Sequence, residues 1–174
     1  MSKMITLEEA KHIRLSENFT LDEFLYSDTA IRLGIDNSIP ERYIRNIQYL
    51  VDTILQPLRN RIGPIRILSG YRSPELSIKL GSSTHSNHCF GLAADIEPYK
   101  RETSLTEILT YIEENCNYKE LIAEYFPYGW VHVAAQQYNN RHILKLKDHE
   151  HNYAHVNKDY ILKLYPNHKT TRAA

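Results

Sequence analysis

Apolar residues fall at helical spacing in the first half of the chain and at strand spacing in the second. Ile44, Ile47, Val51, Ile54, Leu55, Leu58 and Ile62 recur every three or four residues, the repeat of one buried helix face. They predict a long helix that begins near Pro40 and ends at Gly63-Pro64. Pro57 lies inside it and lacks the N–H that would bond back one turn, so a kink is expected there. Upstream, Met1 to Glu17 reads as a polar lead-in with one helical turn. Thr20 and Glu23 then fit a capping box flanked by Phe19 and Phe24 as a hydrophobic staple. The helix they start is predicted to run to about Leu33, with Gly34 as its stop.

Ile65 to Leu68 predicts a strand leading into Ser69-Gly70-Tyr71-Arg72-Ser73. A short helix from Pro74 to Leu80 and a Gly/Ser loop to His88 follow. From Leu92 to Glu97 the period becomes two, with Leu92, Ala94 and Ile96 on one face and Ala93, Asp95 and Glu97 on the other. Ser104 and Glu107 form a second capping box, before a helix striped by Leu105, Ile108, Leu109 and Ile112. Leu121 to Tyr125 and Trp130 to Ala135 predict strands joined by the turn Phe126-Pro127-Tyr128-Gly129. His142 to Lys147 predicts another, and the tail after Leu164 is expected to fray. Helices early and strands late, with short links, predict an α+β domain with an antiparallel sheet packed against helices.

The 174 residues suit one domain with a sizeable core rather than two. Lys and Arg number 21 and so do Asp and Glu, which gives no basis for electrostatic capture of nucleic acid. No stretch is long and apolar enough to span a bilayer, and the first residues are charged too early for a signal peptide. The expectation is a chain made in the cytoplasm, without membrane insertion, that needs another component to let it through if it acts outside. Cys89 and Cys116 are too few for a disulfide framework, so a reducing compartment is the simpler assumption.

The candidate chemistry lies in Ser86-Asn87-His88-Cys89-Phe90-Gly91-Leu92-Ala93-Ala94-Asp95 and in Trp130-Val131-His132-Val133. Together they offer two imidazoles and a carboxylate from a loop and two strands. Catalytic zinc takes three protein ligands and leaves a fourth position for water, which the metal can turn into a nucleophile. Taken singly, each residue is more often structural. The combination raises the odds, because Asp95 sits among apolar residues, where an unpaired carboxylate is costly and a nearby cation removes that cost. His85 could support a ligand or touch substrate, or be an exposed loop residue. His149, His151 and His155, around Asp148 and Glu150, could form another metal site, but read more simply as a solvated hairpin. Alternation points Cys89 away from the site. Tyr71, Tyr125 and Tyr128 could line a groove or belong to core or rim.

Five segments occur in order: Leu15 to Phe24, Leu55-Gln56-Pro57-Leu58-Arg59, Ser69-Gly70-Tyr71-Arg72-Ser73, His88-x6-Asp95 and Trp130-Val131-His132-Val133. With them the chain resembles the zinc D-alanyl-D-alanine carboxypeptidase family, in particular small phage and bacterial peptidases including endolysins. The resemblance covers roughly Ser16 to Ala135. It implies an α+β fold shared with hedgehog signalling domains, with zinc on an antiparallel sheet. It implies a peptidase-like core over 16–138, an extension over 139–174 of open role, and one domain over 1–174. It also implies Zn2+ held by His88, Asp95 and His132, and a catalytic role for Arg72 in polarising the scissile carbonyl or holding a substrate carboxylate.

The general base departs from the common pattern. Many relatives carry an acid three residues before the last histidine, where this chain has Gly129. Relatives with a Leu-Ile-x-Glu arrangement point instead to Glu124. Its alternative is a structural acid paired with a lysine. The expected function is hydrolysis of an amide bond in peptidoglycan stem peptides, of carboxypeptidase or endopeptidase type, by an enzyme released in lysis or carried in a phage particle. The alternative is a catalytically inactive, zinc-stabilised binding or virion structural module of the same fold.

Overall fold

The long apolar stripe folds as one continuous helical run. A 3-10 turn at Glu41–Tyr43 leads into α4 (Ile44–Leu50), a π turn (Val51–Leu55) and α5 (Gln56–Ile62). The irregularity expected at Pro57 takes the form of that π turn. The Gln56 N–H bonds the carbonyl of Val51, five residues back, so the helix changes its bonding step just before the residue that has no N–H to give.

This computed structural model describes residues 3–100, 102–135 and 143–164. Ahead of the helical run lie β1 (Met4–Ile5), α1 (Leu7–Ala10), α2 (Asp22–Leu25), α3 (Asp28–Leu33) and β2 (Ile39–Pro40). The polar lead-in is more ordered than expected. β1 pairs with β2, Thr6 and Glu9 close a capping box, and Ile5, Ala10 and Leu15 are buried. The helix predicted from Thr20 to Leu33 is two helices. Thr20 N–H does reach Glu23 Oε1 at 2.9 Å, but Tyr26 takes extended backbone and Ser27 caps a new start by accepting from Ala30 N–H. Gly34 ends the second helix as expected.

The remaining elements are β3 (Ile65–Ser69), α6 (Pro74–Lys79), β4 (Ala93–Pro98), α7 (Leu105–Asn115), β5 (Tyr118–Glu124), β6 (Trp130–Ala135), β7 (Ile143–Lys147), β8 (Tyr153–His155) and α8 (Lys158–Leu164). The capping box at Ser104 and Glu107 is present at the start of α7. Strands β3 to β8 form one six-stranded sheet in the order β3-β4-β6-β5-β7-β8. Its pairings are antiparallel except β5 with β7, which is parallel. The expected antiparallel sheet packed against helices is present, with one parallel pairing added where β7 joins it. β6 reverses against one edge of β5, and β7 reverses again but joins the other edge of β5, so it runs the same way as β5. His142, predicted at the start of this strand, and the tail predicted to fray lie outside the described residues.

One face of the sheet carries Ala94, Ile96, Leu121, Ala123, Val131 and Val133 into a core shared with the long helical run and α7. Leu144 of β7 and Ile161 of α8 belong to the same core. The opposite face carries the polar residues described next. Among the described residues, no helix is long and apolar enough to cross a membrane.

Candidate metal centre and active site

Strand register builds the site. Asp95 on β4 stands opposite His132 on β6, and His132 stands opposite Ile122 on β5. Directly opposed residues share a face, so the row lies on the side away from the core. His88 comes from a 3-10 turn (Asn87–Phe90) just before β4.

The orientation of His88 traces back to the N-terminal helices. Tyr71 N–H donates to Phe24 O at 2.7 Å, which presses the loop after β3 onto α2. A Cβ on Gly70 would lie 2.6 Å from Phe24 Cα, so only glycine fits this approach. The Gly70 carbonyl in turn lies 2.6 Å from His88 Nδ1. A proton on Nδ1 donated there leaves Nε2 as the lone-pair nitrogen. Phe24 of the N-terminal segment and Gly70 of the Ser-Gly-Tyr-Arg segment therefore converge on the orientation of His88.

Three atoms meet at the floor. His88 Nε2 is 3.2 Å from His132 Nδ1 and 3.3 Å from Asp95 Oδ1, and His132 Nδ1 is 2.8 Å from Asp95 Oδ1. Zinc bonds of about 2.0–2.2 Å in tetrahedral geometry place ligand atoms roughly 3.3–3.5 Å apart. The two separations to His88 Nε2 match such an ion to within about 0.3 Å, and the His132–Asp95 pair opens by roughly 0.5–0.7 Å to take it. Among the described residues, this is the one His/Cys/Asp/Glu group close enough to hold a metal, and all three members are buried. Burial pushes the His88 imidazole down, against the pull of Asp95, and favours its neutral form. Burial alone would raise Asp95, but His88 and His132 outweigh it and hold the carboxyl well below the usual range. A neutral imidazole and an ionised carboxylate are the forms that bind metal.

Arg72 is not a surface ion pair. One terminal nitrogen contacts Asp95 Oδ2 and Nε donates to Ser69 Oγ at 2.8 Å, with the side chain 15% exposed. It thus holds the Asp95 carboxylate by the oxygen turned away from the histidines while lining the same cleft of about 640 Å³ as His88, Asp95 and His132. Glu124 lines that cleft too. It sits opposite Trp130 on β6, two positions along β5 from Ile122, on the face of the metal row. It is buried and accepts from Lys147 Nζ at 2.8 Å. Burial opposes the Lys147 charge, yet the bonds to Glu124 and Tyr153 raise its pKa. Glu124 is thus both a cleft carboxylate and the partner of a lysine, so turnover rather than geometry separates its two readings, general base and structural acid.

The glycine at the usual acid position has a structural cause. A Cβ on Gly129 would lie 1.9 Å from the Glu124 carbonyl oxygen, and Gly129 N–H donates to Tyr125 O at 3.0 Å. Gly129→Glu is expected to lower stability by about 1–3 kcal/mol through overpacking and to add no activity. Thermal unfolding beside a turnover assay checks this, and a stable, faster variant would contradict it.

The other candidates separate. His85 lines the cleft but is exposed and lies 3.4 Å from Thr84 Oγ1. His149, His151 and His155 are exposed, and Asp148 accepts from Glu150 and Asn152 N–H at 2.9 Å each, making a turn. Cys89 is buried with Sγ 3.7 Å from Ser83 O. Tyr71 is core, its hydroxyl pushed up to about 12 by burial. Tyr125 lines the cleft, whereas Tyr128 is exposed.

Glu120, Lys147 and Tyr153 line the cleft and escaped the sequence reading, as did Lys145, which holds Glu120. Glu120 lies on the Glu124 face of β5, but the predicted strand began one residue too late to include it. Alternation along β7 places both lysines on that side.

The Peptidase M15 family profile matches residues 17–134, more than half of the chain. No curated protein matches it. The chain belongs to the M15 peptidases, which are metallopeptidases, and its His-Asp-His group is one that could hold their metal.

Proposed function

We propose that this M15 peptidase uses zinc to hydrolyse an amide bond next to a D-residue in peptidoglycan stem peptides. The observation that carries the reading is the convergence of His88 Nε2, Asp95 Oδ1 and His132 Nδ1 within 3.3 Å, on the floor of a cleft shared with Arg72 and Glu124. Two imidazoles and a carboxylate suit zinc. The wall substrate rests on the family, as does a role in lysis after release or from a phage particle.

His88, Asp95 and His132 would hold the ion. Bound there, zinc supplies Lewis acidity and lowers the pKa of water. Arg72 keeps Asp95 in place and brings a fixed positive charge to the cleft, where a carbonyl oxygen gains negative charge during attack. Glu124 takes the proton from the attacking water and returns it to the leaving nitrogen. Lys147 orients that carboxylate. Because Lys147 lies on β7, past the matched residues, the peptidase works as a single domain that includes its C-terminal segment.

Arg72→Lys retains the charge but loses the planar fork that spans Ser69 and Asp95. Its kcat/KM is expected to fall about a hundredfold at saturating zinc. Parent-like kinetics would reduce Arg72 to a structural ion pair.

A zinc-stabilised binding module is the second reading, favoured by the Lys147 contact that occupies Glu124. Mass spectrometry of wall fragments from several peptidoglycan chemotypes, digested with zinc-loaded protein, separates the two. New amino and carboxyl termini identify a peptidase and the bond it cuts. Intact fragments at full zinc occupancy would leave the binding module.

A further inference from the structure

We infer that Glu120, anchored by Lys145 of β7, is a positioning residue of the metal centre that acts through the outer nitrogen of His132. The inference rests on the metal-site reading above. Both metal-facing histidines need a partner on their far nitrogen, since that partner sets the ring's tautomer and angle and raises its basicity. His88 has Gly70 O, 2.6 Å from Nδ1. His132 turns Nδ1 inward, 2.8 Å from Asp95 Oδ1 and 3.2 Å from His88 Nε2. Its Nε2 therefore points outward. Glu120 Oε2 stands 3.9 Å from that atom.

With Nδ1 given to a metal, a neutral His132 carries its proton on Nε2, facing the Glu120 carboxylate. The separation is that of a charge pair, about an ångström longer than a hydrogen bond. A glutamate side chain closes such a gap by small torsional changes. Glu120 Oε1 is held by Lys145 Nζ, with both side chains 22% exposed. That second contact restrains the carboxylate and directs its free oxygen to the imidazole. Lys145 lies on β7, beyond the residues matched to the family. The chain Lys145–Glu120–His132 thus links the C-terminal segment to the metal.

The test is zinc affinity in the full-length protein, read by competition with a chromophoric chelator and so independent of turnover. Glu120→Gln is expected to weaken zinc binding about ten- to a hundredfold. That variant leaves Lys145 without its carboxylate, and a bare positive charge near the site would itself repel zinc. The double variant Glu120→Ala/Lys145→Met removes both charges, and it too is expected to bind zinc at least tenfold more weakly than the parent. Parent-like affinity in the double variant overturns the assignment, whatever happens to turnover, because the single-variant loss would then belong to the bare lysine. A parent protein that binds no divalent metal overturns the metal-site reading and this inference together.

Discussion

His132→Ala is expected to give a folded protein that loses its zinc and all measurable peptidoglycan cleavage. His132 supplies one of the three converging atoms, 3.2 Å from His88 Nε2 and 2.8 Å from Asp95 Oδ1. Without it, two donors remain, short of the three protein ligands that catalytic zinc takes. The fold should survive because the neighbours of His132 on β6, Val131 and Val133, face the core, while His132 itself faces the cleft. The stability cost should be about 1–3 kcal/mol, that of a buried polar partner removed from Asp95. Elemental analysis beside thermal unfolding checks both halves. Unchanged zinc stoichiometry in a cooperatively unfolding His132→Ala protein would refute the ligand assignment.

Glu124→Gln should keep the fold and the zinc and lose about 10²–10⁴ in turnover, the usual contribution of a positioned general base. The substitution preserves size, and the amide oxygen can still accept from Lys147. What it removes is the capacity to take a proton. kcat at saturating zinc and substrate is the quantity to measure. Near-parent turnover would leave Glu124 as the structural partner of Lys147 alone.

The metal row was legible because a two-residue period shows which strand positions share a face. Asp95 and Glu97 separate from Ala94 and Ile96 on inspection, and the same holds for His132 between Val131 and Val133. That Asp95 stands opposite His132 was not legible, since register depends on how separate segments pair. The task of Gly70 was equally hidden. It depends on the backbone of Phe24, 46 residues earlier in the chain. The parallel placement of β7 escaped because local pattern identifies a strand without saying which edge it joins. Lys145 and Lys147 therefore had no visible relation to the site. Glu120 was lost to a boundary, as the strand starts at Tyr118 rather than Leu121. The break in the first helix turned on Ser27, whose side chain competes for a helix start, against a staple that signalled only the earlier one.

Titration of zinc into metal-free protein, with release of new amino groups from purified peptidoglycan followed in the same samples, is the most direct measurement. Amide cleavage should rise in proportion to added zinc, level off at one ion per chain, and disappear with a chelator until zinc is restored. The same titration of His132→Ala should stay flat. Full cleavage by the metal-free protein, or one bound zinc with no new amino groups from any peptidoglycan, would contradict a zinc peptidase built on His88, Asp95 and His132.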